Sequence, residues 1–71
     1  MADNKLLVKF GEHLRSLRED RSLSQEELGF KSNIHRTYIG AIERGEQNIS
    51  LINQGKLAKA LKIRLKDLFE F

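Results

Sequence analysis

Apolar residues recur along this chain at intervals of three and four, the spacing of one helix face, and nowhere keep up the strict alternation of a strand. Between Lys5 and about Asp20, Leu6, Phe10, Leu14 and Leu17 form one stripe, widened by Leu7 and Val8. They predict a first helix, with Asp3 or Asn4 as its cap. A short second helix is expected over about 25–31. Ser24 is its N-cap, Glu27 completes a capping box, and Glu26 and Glu27 set negative charge at the positive end of the helix dipole. Ser32 and Asn33 end it, because Asn tolerates the left-handed backbone of a tight turn.

A third helix, over about 35–44, carries Ile39 and Ile42 inward, with Ile34 in the turn before it. Arg36, Thr37, Gly40 and Ala41 then share the opposite face, and Gly45 stands where a left-handed C-terminal cap belongs. Ser50 caps a fourth helix, whose apolar face reads as Leu51, Ile52, Leu57, Ala58 and Leu61. Gly55 within it costs about 1 kcal/mol relative to Ala, for which the sequence offers no reason beyond close packing. After Lys62-Ile63-Arg64, Leu65 to Phe71 predict a last helical turn or two. The expectation is an all-α, compact five-helix fold, one domain over residues 1–71, organised around a helix-turn-helix from Ser24 to Gly45.

Composition narrows the function classes. A chain of 71 residues has little surface to bury, so a small bundle gains from dimerisation. Thirteen Lys and Arg against ten Asp and Glu leave only +3, a weak indication of an anionic partner. The absence of Cys excludes disulfides, thiolate metal sites and cysteine nucleophiles. No apolar run approaches the roughly 20 residues of a membrane span, and no signal-peptide core is visible, so a cytoplasmic location without membrane partners is expected. His13 and His35 lie on different elements without a carboxylate companion, and Glu26 and Glu27 are explained by dipole capping. No catalytic set, metal site or cofactor is therefore expected.

The strings LSQEEL and RTYIGAIERG resemble the lambda/434-repressor-like (XRE-type) helix-turn-helix proteins, and HRTYI followed by IERG and NIS-L is most similar to restriction–modification controller proteins. The resemblance covers about Phe10 to Phe69. It implies a lambda-repressor-like fold and a dimeric, sequence-specific regulator of transcription that binds a pseudo-palindromic double-stranded DNA operator, with RNA polymerase a further candidate partner. Family members commonly carry Gly at the position of Ser22, where a side chain at positive φ has a steric cost. Two rival readings are a DNA-binding antitoxin with a toxin partner, and a protein-interaction module that has lost DNA binding.

Arg36 is the sharpest candidate for base reading, since it stands early on the third helix and a guanidinium fits guanine O6 and N7 in bidentate fashion. Thr37 offers a methyl and a hydroxyl, and Gly40 and Ala41 are small enough for close approach to bases. Gln25 matches the family's phosphate-holding Gln at the start of helix 2. Tyr38, Gln47, Asn48 and Arg44 are phosphate candidates, with a half-buried packing role equally open for Tyr38. His35 either caps its helix or touches phosphate, and Phe30 either packs on helix 1 or stays exposed. By family correspondence Arg18 and Glu43 form a structural ion pair. Ile63, Leu65, Leu68 and Phe69 exceed what one small core absorbs and are the candidate dimer surface, as two-fold operators require.

Overall fold

The computed structural model describes residues 4–71, so the expected cap Asp3 lies outside the described residues. Four α-helices follow one another: α1 (Asn4–Asp20), α2 (Gln25–Ser32), α3 (Arg36–Glu43) and α4 (Leu51–Leu61), and a 3-10 turn at Leu65–Phe69 closes the chain. The fold is all-helical with a helix-turn-helix, but its fifth element is a 3-10 turn rather than an α-helix. That segment is only five residues long, and Asp67 Oδ2 accepts from the Arg64 N–H at 3.0 Å, a local bond that favours a tight turn over propagation.

Each interhelical junction follows from its cap. Ser24 Oγ accepts from the Glu27 N–H at 2.9 Å, while Glu27 Oε1 accepts from the Ser24 N–H at 2.8 Å, completing the expected box. Asn33 takes φ 60°, and the Ile34 N–H returns to the Gly29 carbonyl at 3.0 Å, which turns the chain into α3. Ser22 also sits at positive φ, 55°, so the strain expected from a non-Gly residue is present. Gly45, at φ 77°, is needed twice over: a Cβ there would also run into Val8.

The core is made by Phe10 and Leu14 of α1, Leu28, Ile34, Ile39 and Ile42 of the helix-turn-helix, Ile49, and Leu57, Ala58 and Leu61 of α4, closed by Leu68. A Cβ at Gly11 would fall on the carbonyl oxygens of Ile42 and Glu43, so this glycine lets α1 cross the end of α3 in close contact. Three expectations are corrected here. Leu6 is exposed, so the buried stripe of α1 begins at Phe10. Leu51 and Ile52 are 66 % and 74 % exposed, because the first turn of α4 projects beyond the elements that cover its later turns. Gly55 faces open space, so close packing does not explain it. None of the described helices is long and apolar enough to cross a membrane.

Candidate nucleic-acid interface

Burial of Ile39 and Ile42 fixes the rotation of α3 and leaves Arg36 and Thr37 exposed at its N-terminal end. The helix starts at Arg36 because His35 caps it: the ring Nδ1 accepts from the Thr37 N–H at 3.0 Å. His35 is thus a capping residue whose ring edge stays exposed beside Arg36. At the other end Arg44 is the C-cap rather than a helical residue.

A buried polar cluster locks this helix in place. Arg18 Nε and Nη2 donate to the two carboxylate oxygens of Glu43 at 2.6 and 3.0 Å, and Arg18 Nη1 donates to the Leu23 carbonyl at 2.7 Å. Both residues are buried. The hydrogen bond to Glu43 raises the pKa of Arg18, with burial opposing it. The α1 and α3 helices are thereby joined through the expected pair, which also fixes the loop at Leu23.

Gln25 extends the cluster, since its Nε2 donates to Glu43 Oε1 at 3.0 Å. Its amide lies over Gly40, where an added Cβ would come within 3.3 Å of Gln25 Oε1 and 3.2 Å of Arg44 Nη1. Gly40 is consequently buried beneath two side chains and does not lie open beside Arg36, which corrects its expected place on the reading face. Ala41 is half-buried. Tyr38 is half-buried as well, with its ring packed against the core, whereas Gln47 and Asn48 are exposed in the loop from α3 to α4.

Two carboxylates attend the exposed arginines: Glu26, which the sequence assigned only to dipole capping, and Glu46, to which it gave no role. Glu26 Oε1 lies 3.3 Å from Arg36 Nη1, across the turn between α2 and α3. Glu46 takes a two-pronged bond from Arg44, at 3.0 Å from Nε and 3.1 Å from Nη2. Those bonds hold the Glu46 carboxyl below its ordinary pKa and raise that of Arg44. The Arg44 pair was legible from adjacency in sequence; the Arg36 pair, ten positions apart across a turn, was not.

Phe30 is 89 % exposed, which settles its alternatives, and it lines an open concavity with Asn33 and Arg36. Of the residues assigned to a dimer surface, Leu65 and Phe69 remain 38 % and 48 % exposed and Ile63 is half-buried. Leu68 is corrected: it is wholly buried, because the 3-10 turn points it into the core, and it cannot meet a partner.

The family model for helix-turn-helix proteins matches residues 14–68, which include every element described above except the start of α1 and the end of the final turn. The chain belongs to the helix-turn-helix family. Within it, this helix-turn-helix protein is similar to the control protein C.BamHI of Bacillus amyloliquefaciens, 46 % identical over 69 residues, covering 96 % of this chain and 85 % of that one. The control protein C.MunI of a Mycoplasma species is 39 % identical over 67 residues, covering 93 % and 90 %. The crystal structure of the restriction–modification controller protein C.AhdI from Aeromonas hydrophila superposes with a TM-score of 0.88 at 54 % identity, covering 89 % of this chain and 96 % of that chain.

Proposed function

We propose that this protein is a cytoplasmic, DNA-binding controller of restriction–modification genes that acts as a dimer on a pseudo-palindromic operator. The carrying observation is the rigid presentation of the N-terminal end of α3: Arg36 and Thr37 stand exposed while the Arg18–Glu43 pair holds the opposite end of that helix to α1. Helices set in this way read base edges in the major groove. Arg36 and Thr37 are assigned to bases, with Ala41 in close approach. Gln25, Tyr38, Gln47, Asn48, Arg44 and the outer edge of His35 are assigned to phosphates. Similarity to proteins named as restriction–modification controllers supports the regulatory context, and RNA polymerase is the partner through which a DNA-bound protein of this size would act.

Dimerisation is assigned to Ile63, Leu65 and Phe69, enlarged by the exposed Leu51 and Ile52 of α4, the helix that contacts the 3-10 turn. Two recognition helices related by a two-fold axis meet half-sites about 34 Å apart, one turn of DNA. The test is selection of bound duplexes from a random library, followed by single-base scanning with Arg36→Ala and Gln25→Ala. Loss of Arg36 should cost about 1–3 kcal/mol and flatten the preference at one position in each half-site. Loss of Gln25 should weaken all sequences nearly equally, with little change in salt slope. A uniform loss with Arg36→Ala would make it a phosphate contact and move base reading elsewhere.

A further inference from the structure

The cations of the α3 region are largely engaged within the protein: Arg36 with Glu26, Arg44 with Glu46, and Arg18 with Glu43. Every ion pair among the described residues is made by an arginine, and none involves a lysine. Four of the lysines converge elsewhere. Lys31, at the C-terminal end of α2, lines one groove with Lys56, Lys59 and Lys62 of α4 and its cap, around the buried Ser32. Arg21 continues that surface along an adjoining groove, its guanidinium donating to the Leu61 and Leu17 carbonyls at 3.0 and 2.9 Å. No carboxylate lines either groove. Glu27, one turn before Lys31 and bonded to the Ser24 N–H, also attracts Lys31 and offsets part of its charge.

Charge at helix C-termini has an ordinary explanation, so its size matters. Each helix end carries about half a negative charge. The ends of α2 and α4 together offset about one of the four lysine charges and leave roughly three, before Arg21 is added. That residue is comparable to the excess of +3 carried by the whole chain.

The lysines stand toward the far ends of α2 and α4 from the residues assigned to phosphate at and before their N-termini. Gln25 begins α2, and Lys31 follows six residues later, about 9 Å along the axis; Ser50 caps α4 beside the Asn48 loop, and Lys59 lies about 14 Å further on. Both separations exceed the Debye length of about 8 Å at physiological salt. Salt therefore screens these lysines from phosphates held at Gln25 and beside Asn48.

We infer that the Lys31, Lys56, Lys59 and Lys62 groove is a second, sequence-independent site for the phosphate backbone of DNA, occupied by a segment other than the one α3 reads. The inference rests on the DNA-binding reading above, which supplies a polyanion at high local concentration. A protein held on its operator then captures a neighbouring duplex, and the capture is steeply salt-dependent.

The test uses the full chain, an immobilised mixed-sequence duplex and a second, fluorescent mixed-sequence duplex of about 30 base pairs in solution. Wild-type protein should retain the second duplex on the first at low salt. The variant Lys31→Gln/Lys59→Gln/Lys62→Asn, with Asn chosen because Lys62 has φ 60°, should keep its circular dichroism and lose capture. Four phosphate contacts at a slope of about 0.9 each predict a roughly 150-fold fall in wild-type capture affinity between 50 and 200 mM salt. Equal capture by the variant, or none by the wild type, overturns the inference. So does a reduced salt slope for the variant on a single duplex, since the lysines would then lie on the first segment. Arg36→Ala serves as the separating arm: it flattens the base preference at one position in each half-site while leaving capture intact, so the two readings fail independently.

Discussion

Removing Arg18 should destabilise the protein strongly, and removing its partner as well should restore most of the loss. In Arg18→Ala the Glu43 carboxylate, buried between α1 and α3, keeps a single donor, Gln25 Nε2 at 3.0 Å, and the Leu23 carbonyl loses its donor at 2.7 Å. Breaking a buried pair from one side costs about 3–5 kcal/mol. A 71-residue domain has roughly 4–10 kcal/mol in total, so the variant is expected to be largely unfolded at moderate urea. Glu43→Gln, which keeps an acceptor, gives a milder single change that remains measurable. The double variant Arg18→Met/Glu43→Met replaces both charges by flexible apolar chains and should lie within about 1–2 kcal/mol of wild type. Urea denaturation of Arg18→Met, Glu43→Met and the double variant closes the cycle and gives the coupling energy. Costs that simply add, within about 0.5 kcal/mol, would mean that the pair does not act as a unit. DNA binding supplies a second readout: the double variant frees both α3 and Gln25 from Glu43 and should bind the operator more weakly and with flattened base preferences.

Ser22→Gly should stabilise the fold by roughly 0.5–1 kcal/mol, because an exposed residue at φ 55° is relieved of its Cβ clash; an unchanged urea midpoint would show that the position is not strained. The Glu27 carboxyl is held below its ordinary pKa, chiefly by the Ser24 backbone N–H, so its contribution is present above the unfolded-state pKa and is lost as pH falls toward the folded one. The thermal midpoint of wild type should therefore exceed that of Glu27→Gln at pH 6, and the gap should close on acidification below the ordinary carboxylate range. Leu65→Asp should sediment as a folded monomer at concentrations where wild type is a dimer, and an unchanged dimer would reject that surface. Glu26→Gln should raise affinity for the selected operator by about the worth of the pair, roughly 0–1 kcal/mol, and for mixed-sequence DNA by no more than that; an unchanged operator affinity would show that Arg36 does not leave Glu26 on binding.

What could be recognised from the sequence was what depends on neighbours along the chain. Ser24 with Glu27, Ser50 before α4, Asn33 in the turn and the inward pair Ile39 and Ile42 are all local patterns, and each is found as expected. Arg18 and Glu43 needed the family resemblance, since 25 residues separate them and nothing in their spacing brings them together. Helical periodicity shows which residues share a face, but not which other element covers that face. Leu51 and Ile52 lie on an apolar helix and stay exposed because nothing packs over its first turn, while Leu68 is drawn inward by the 3-10 turn that replaced the expected helix. Gly40 was read as open ground because its neighbours on α3 are small, and the side chains that cover it come from α2 and from the end of α3.

The pairing of Arg36 with Glu26 bears on how a protein with so small a net charge discriminates among DNA sequences. An exposed ion pair is worth about 0–1 kcal/mol, the same order as a single solvated arginine–phosphate contact. A non-specific duplex therefore gains little by drawing Arg36 away from Glu26, since one exposed pairing replaces another. A bidentate contact with guanine is worth about 1–3 kcal/mol of discrimination and exceeds the pair it breaks. Glu26 thus cancels most of what Arg36 would give to any phosphate but only part of what it gives to the right base. The side chains that position α3, Arg18 and Glu43 with Gln25 bonded to them, carry no sequence information, yet they make this difference usable. Arg36 can choose between Glu26 and a base only if its helix stays fixed while its side chain moves.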